Sequence, residues 1–153
     1  MRYLEIIRTV AYCAIWVVVS VSCKQETPTA TGKKVFPWFV YKDWNSFKDI
    51  EPVKEIINSI SVFGNPPKSF IDECHRNHIE VYQAVGGSEE NISTPEKIKT
   101  LVDGYVDACN ANGYDGIDWD FEHLSPDVQD TYTGFLELAS QKLHAAGKKL
   151  SHC

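Results

Sequence analysis

Apolar and polar positions along the chain switch between two periods, and the switches mark successive elements. Residues 35–41 form an aromatic and β-branched run with Pro37 near its start, where a strand tolerates it, so a first strand is expected there. Residues 46–57 then place Phe47, Ile50, Val53, Ile56 and Ile57 at helix-like intervals, and Pro52 confines the helix to its later part. Residues 58–63 read as a second strand, closed by Gly64-Asn65-Pro66-Pro67. Over residues 68–77, Phe70, Ile71 and Cys74 share a helical face, and residues 78–85 follow as a third strand ended by Gly86-Gly87.

The clearest helix start is Ser93-Thr94-Pro95-Glu96: an N-cap serine, a proline in the first turn and an acid three residues on. Apolar positions recur at Ile98, Leu101, Val102, Tyr105, Val106 and Cys109 until Asn112-Gly113. Residues 114–121 form a fourth strand. Ser125-Pro126 opens another helix, with Val128, Tyr132, Phe135, Leu136, Ala139 and Leu143 as its buried stripe, and Gly147 stops it. Residues 148–153 begin one more strand. Strict alternation of strand and helix implies right-handed crossovers and a parallel sheet. A closed (β/α)8 barrel takes ~250 residues. The expected fold is therefore α/β, a TIM barrel truncated to about four βα units plus the start of a fifth strand. Its two unpaired sheet edges invite self-association.

Composition narrows the partners. The 153 residues are 43% hydrophobic, 12% aromatic and 24% charged, which suits one globular domain. Asp plus Glu number 21 against 15 Lys plus Arg, a net charge of −6, so no basic field exists to hold nucleic acid. Arg2 and Arg8 precede a thirteen-residue apolar run over residues 10–22, and residues 1–22 read as a secretory signal peptide, too short between Arg8 and Lys24 for a membrane span. Val21-Ser22-Cys23 resembles a lipoprotein cleavage site, so Cys23 is either a lipid anchor or follows an ordinary secretory cut. That anchor is the only membrane contact expected. Residues 23–34 form a polar linker. The expected location is secreted or extracytoplasmic, lysosomal included. Beyond the leader, Cys74, Cys109 and Cys153 are too few and too spread for a disulfide framework; the first two fall on helices as buried thiols.

The most informative segment is Asp115-Gly116-Ile117-Asp118-Trp119-Asp120-Phe121-Glu122. On a strand, Asp118, Asp120 and Glu122 project to one face, and Ile117, Trp119 and Phe121 to the other. Successive acids lie ~6.6 Å apart, close enough in a weakly solvated cleft for the charge on one to oppose ionisation of the next. A calcium loop starting at Asp118 fails, since His123 stands where Gly is needed and Gln129 where Glu is needed. Asp118-Trp119-Asp120 also matches the short D-x-D of metal-dependent glycosyltransferases, a weak signal. Three acids on a strand covered by helices are costly to bury without purpose.

The segment resembles, position for position, the D-G-x-D-x-D-x-E signature of glycoside hydrolase family 18, the chitinases, chitobiases and endo-N-acetylglucosaminidases. Ala84-Val85-Gly86-Gly87 is similar to the family's S-x-G-G, with Ala84 in place of Ser, and Glu122 is followed by His123-Leu124 instead of Tyr-Pro. The resemblance spans residues 35–153 and implies the first half of the family's barrel. It implies hydrolysis of β-linked N-acetylglucosamine polymers, chitin-type or N-glycan core, by a substrate-assisted retaining mechanism. Glu122 would be the acid and later the base. Asp120 would orient the acetamido group, and Asp118 would share a proton with Asp120. No metal or organic cofactor is implied. Trp38 and Tyr41, with Trp44, are candidates to stack on sugar rings. Family members complete the cleft with groups from later strands, so the isolated chain is expected to be an inactive fragment unless continued past Cys153. The alternative is a noncatalytic protein that binds chitin or a related glycan.

Overall fold

Five parallel strands lie side by side in chain order: β1 (Trp38–Val40), β2 (Ser59–Phe63), β3 (Glu80–Gly87), β4 (Gly116–Phe121) and β5 (Lys149–His152). Three helices join them, α1 (Lys68–Arg76) between β2 and β3, α2 (Pro95–Asn112) between β3 and β4, and α3 (Gln129–Ala145) between β4 and β5. The structure is a computed structural model that describes residues 35–43 and 45–152. The signal peptide, the polar linker, Cys23 and Trp44 lie outside the described residues. Among those described, no helix is long and apolar enough to cross a membrane.

The pleat divides each strand between two environments. Ile60, Val62, Val81, Val85, Ile117 and Trp119 are buried in one cluster with Phe70, Ile71 and Cys74 of α1, Val102 and Cys109 of α2, and Phe135, Ala139 and Leu143 of α3. Burial of each large apolar side chain contributes about 1.5–3 kcal/mol. Trp119 anchors this layer: its ring stacks on Phe121 at 4.6 Å, meets Phe135 at 4.4 Å and takes Tyr105 edge-on at 5.0 Å. The other face carries Trp38, Ser61, Tyr82, Ala84 and Asp118, set by the registers Trp38↔Ser61, Ser61↔Tyr82 and Ala84↔Asp118.

The first crossover departs from the sequence expectation. Residues 46–57 form no α-helix but two short 3-10 turns, Phe47–Asp49 and Glu51–Val53. Pro52 brings no N–H to a helical ladder, and the chain settles for local bonds, Ile50 N to Phe47 O and Val53 N to Ile50 O, both 3.0 Å. Ile50 and Ile57 still reach the core, while Val53 and Ile56 are left exposed.

Two helix starts also move. Thr94, not Ser93, is the N-cap of α2, its hydroxyl accepting from Lys97 N at 3.3 Å. Ser93 instead closes the preceding turn (Glu89–Ile92) and donates to Glu90 O. Pro126 opens a 3-10 turn (Pro126–Val128), and α3 begins only at Gln129. The third strand runs to Gly87, because β3 pairs with β4 through Gly87↔Phe121. At the far end of α2, Gly113 at φ 85° gives the left-handed turn that a side chain resists.

Candidate active site

The acidic motif begins with two structural residues. Asp115 Oδ2 accepts from Val81 N at 2.8 Å and meets His75 Nε2 at 2.8 Å. Its backbone N donates to Val81 O at 2.8 Å, and its carbonyl accepts from Lys149 N at 2.9 Å. One residue thus ties α1, β3 and β5 to the entry of β4. Next to it, a Cβ on Gly116 would stand 2.4 Å from Lys149 O and 2.9 Å from the Tyr82 ring, so the position admits only glycine.

The three acids that follow occupy a gradient of burial toward the C-terminal end of β4. Asp118 is 2% exposed, Asp120 is half-buried, and the Glu122 side chain is 68% exposed. Asp118 Oδ2 accepts from Ser61 Oγ at 2.5 Å and from Trp38 Nε1 at 3.2 Å. Both donors come from strands on the far side of β3. Asp120 pairs in register with Gly86, which carries no side chain to cover it. A Cβ on Gly87 would fall 2.2 Å from the Phe121 ring, so the glycine pair leaves space beside Asp120 and seats Phe121.

Glu122 differs from the expectation of three acids aligned on one strand. β4 ends at Phe121, and His123 takes a left-handed φ of 59°. The alternation therefore holds only through Asp120, and Glu122 stands on the loop beyond it, with His123 Nε2 at 3.7 Å from its Oε2. The loop is held from outside: Glu89, in the turn after β3, accepts from the backbone N of Ser125. That bond, with the Ser125 hydroxyl, lowers the Glu89 carboxyl below its ordinary range. Neither Glu89 nor Ser61 stands out in the sequence. For Ser61 the one signal is a hydroxyl set between Ile60 and Val62 inside the strand.

The aromatic candidates part company. Trp38 lies on the face of Asp118, 55% exposed, edge-to-face with Phe63 at 5.5 Å. Tyr41, expected beside a sugar, turns to the helical layer and packs edge-on against Phe70 of α1 at 5.2 Å. It lies beyond the last residue of β1, where its N–H bonds Phe63 O, and its ring fills the gap over α1. Tyr41 is half-buried there. A hollow of about 600 Å³ lies at the N-terminal end of the sheet, lined by Phe36, Ser59, Glu80, Tyr82, Lys149 and Ser151. It is at the opposite end from Glu122. Among the described residues no group of three His, Cys, Asp or Glu side chains is placed to hold a metal ion.

No protein-family model matches the sequence, and no curated protein matches it. Solved structures do. A chitinase from Chromobacterium violaceum is 18% identical, with a TM-score of 0.63 over 76% of this chain and 44% of its own. A glycoside hydrolase family 18 N-acetylglucosaminidase from Paenibacillus barengoltzii is 19% identical, with a TM-score of 0.62 over 78% and 45%. A spore cortex-lytic enzyme from Bacillus megaterium is 16% identical, with a TM-score of 0.66 over 78% and 34%. The chain spans less than half the length of these structures. Five parallel strands in chain order, with helices on one face, give this chain the α/β fold of the TIM-barrel chitinase domains over that part of their length.

Proposed function

We propose that Asp118 and Asp120 of β4, with Glu122 on the loop just beyond it, are the catalytic centre of a glycoside hydrolase acting on β-linked N-acetylglucosamine polymers, by the substrate-assisted retaining route. The observation that carries this reading is the burial gradient: Asp118 enclosed, Asp120 half-covered beside a glycine, Glu122 open to solvent at the strand's C-terminal end. Barrel enzymes do their chemistry at that end. A leaving sugar oxygen needs a proton from a group that reaches it, and exposed Glu122 is free to do so, then to take a proton from water. A developing cation needs fixed negative charge beneath it, which Asp120 supplies while orienting the substrate's acetamido group. Asp118 shares a proton with Asp120 from below. Trp38, exposed on the same face, offers its ring to a sugar. The substrate would be met outside the cytoplasm, after export directed by residues 1–22, with Cys23 as a lipid anchor or a free first segment.

The test is release of reducing ends from chitin oligosaccharides by the purified chain continued past Cys153. The expected outcome is cleavage with the anomeric configuration kept, and loss of at least about 100-fold in Glu122→Gln, the scale of a general acid. Activity that survives Glu122→Gln overturns the assignment of the acid. Binding of the oligosaccharides with no hydrolysis by that continued wild-type chain overturns the hydrolase reading in favour of a glycan-binding protein.

A further inference from the structure

Asp118 leans across an entire strand. Its register partner on β3 is Ala84, and the hydroxyl it meets, Ser61, belongs to β2 on the far side. Adjacent strands lie ~4.8 Å apart, so two strand spacings are ~9.6 Å. The bond runs diagonally across β3, where Tyr82 stands level with Ser61 and Ala84 level with Asp118, and the short Ala84 side chain leaves the path open on the Asp118 side. Ser61 has no exposed surface and Asp118 has 2%, so neither group has bulk water as an alternative partner. Leaving either unpaired would incur its full desolvation penalty. Trp38, from β1, donates to the same Oδ2 atom. The floor of the site is thus built by three strands converging on one oxygen.

We infer that Ser61 is a positioning residue for the catalytic carboxylates: its hydroxyl anchors Asp118 from two strands away, past the short Ala84 side chain. Asp118 held at Oδ2 by two donors keeps one orientation. The catalytic consequence rests on the hydrolase reading above; the anchoring itself does not.

The test compares wild type, Ser61→Ala, and Ser61→Ala combined with Ala84→Ser, each in the chain continued past Cys153. The readouts are the Trp38 indole N–H resonance, identified by its loss in Trp38→Phe, and kcat and KM on chitin oligosaccharides. Ser61→Ala is expected to move the resonance, because Trp38 becomes the donor left on a shared acceptor, and to lower kcat on the order of tenfold with KM within about twofold. A hydroxyl supplied at position 84, level with Asp118 on β3, is expected to recover most of both. A resonance and kcat unchanged in Ser61→Ala overturn the inference. So does a loss that the second substitution leaves uncorrected, since that is the signature of a damaged fold. If the wild-type chain hydrolyses nothing, the hydrolase reading fails, and the resonance alone decides the anchoring: movement and recovery support it, and no movement overturns it.

Discussion

Glycines show how far single atoms decide this fold. Gly116 and Gly104 look alike in the sequence, each flanked by an acid, yet a Cβ meets a carbonyl at 2.4 Å at the first and nothing within 4 Å at the second. Gly116→Ala is expected to destabilise by about 1–3 kcal/mol, because the atom met is rigid backbone of β5. Gly104→Ala, inside α2, is expected to stabilise by about 0.4–1 kcal/mol through a less flexible unfolded chain. Thermal unfolding of the two variants checks this, and equal melting temperatures would contradict it. Asp115 teaches the same lesson. It heads an acidic motif, but its contacts to Val81 N, His75 and Lys149 N make it a fastener of strands.

Between elements, the turn after β3 and the loop after β4 are locked by Glu89 and the Ser125 backbone. The Glu89 carboxyl is held below its ordinary range by the Ser125 N–H and then the Ser125 hydroxyl. A carboxyl so lowered contributes stability that is whole above its unfolded value and lost as pH falls through its folded one. The expected result is that unfolding free energy declines on acidification less in Glu89→Gln than in wild type. Denaturation at a series of pH values measures it, and identical slopes would show the latch to be inert. Asp103 does similar work farther out: bonds from Lys142 of α3 and Lys99 of α2 lower its carboxyl and join the two helices. None of this is legible in the sequence, where Glu89 and Asp103 are two acids among many. The helices themselves were legible, because Phe70, Ile71 and Cys74, or Phe135, Ala139 and Leu143, recur at spacings that survive into the core. The failed helix at residues 46–57 had the same kind of spacing, but Pro52 and a short span left it as two turns.

For the molecule as a whole, the helix–sheet layer is the sealed side and the carboxylate face is the open one. Cys74 and Cys109 sit in the sealed layer, and burial pushes their thiols up from 9.0 to about 12 and about 11. Stability from keeping them protonated is whole below the unfolded value and lost as pH rises through the folded ones. Near neutral pH both are expected to resist alkylation in the native chain and to react fully in urea. Mass mapping of the labelled peptides reads this directly, and native labelling of either would place it outside the core. On the open side, Trp38 and Val40 stay exposed beside Asp118, over the part of the barrel fold that this chain spans.

Order along the chain determined the α/β class, the parallel sheet, the faces of Ile117, Trp119 and Phe121, and the presence of an acidic strand, because periodicity and local turn chemistry act between near neighbours. Tertiary structure alone decided that Ser61 and Trp38 anchor Asp118, that Tyr41 joins the core, that Glu122 leaves the strand, and that Glu89 braces its loop. The hydrogen bonds of Asp118 and Glu89 join residues 36 to 80 positions apart. Such pairs exist only once packing has brought distant strands together, and no local pattern encodes which of many polar groups will meet.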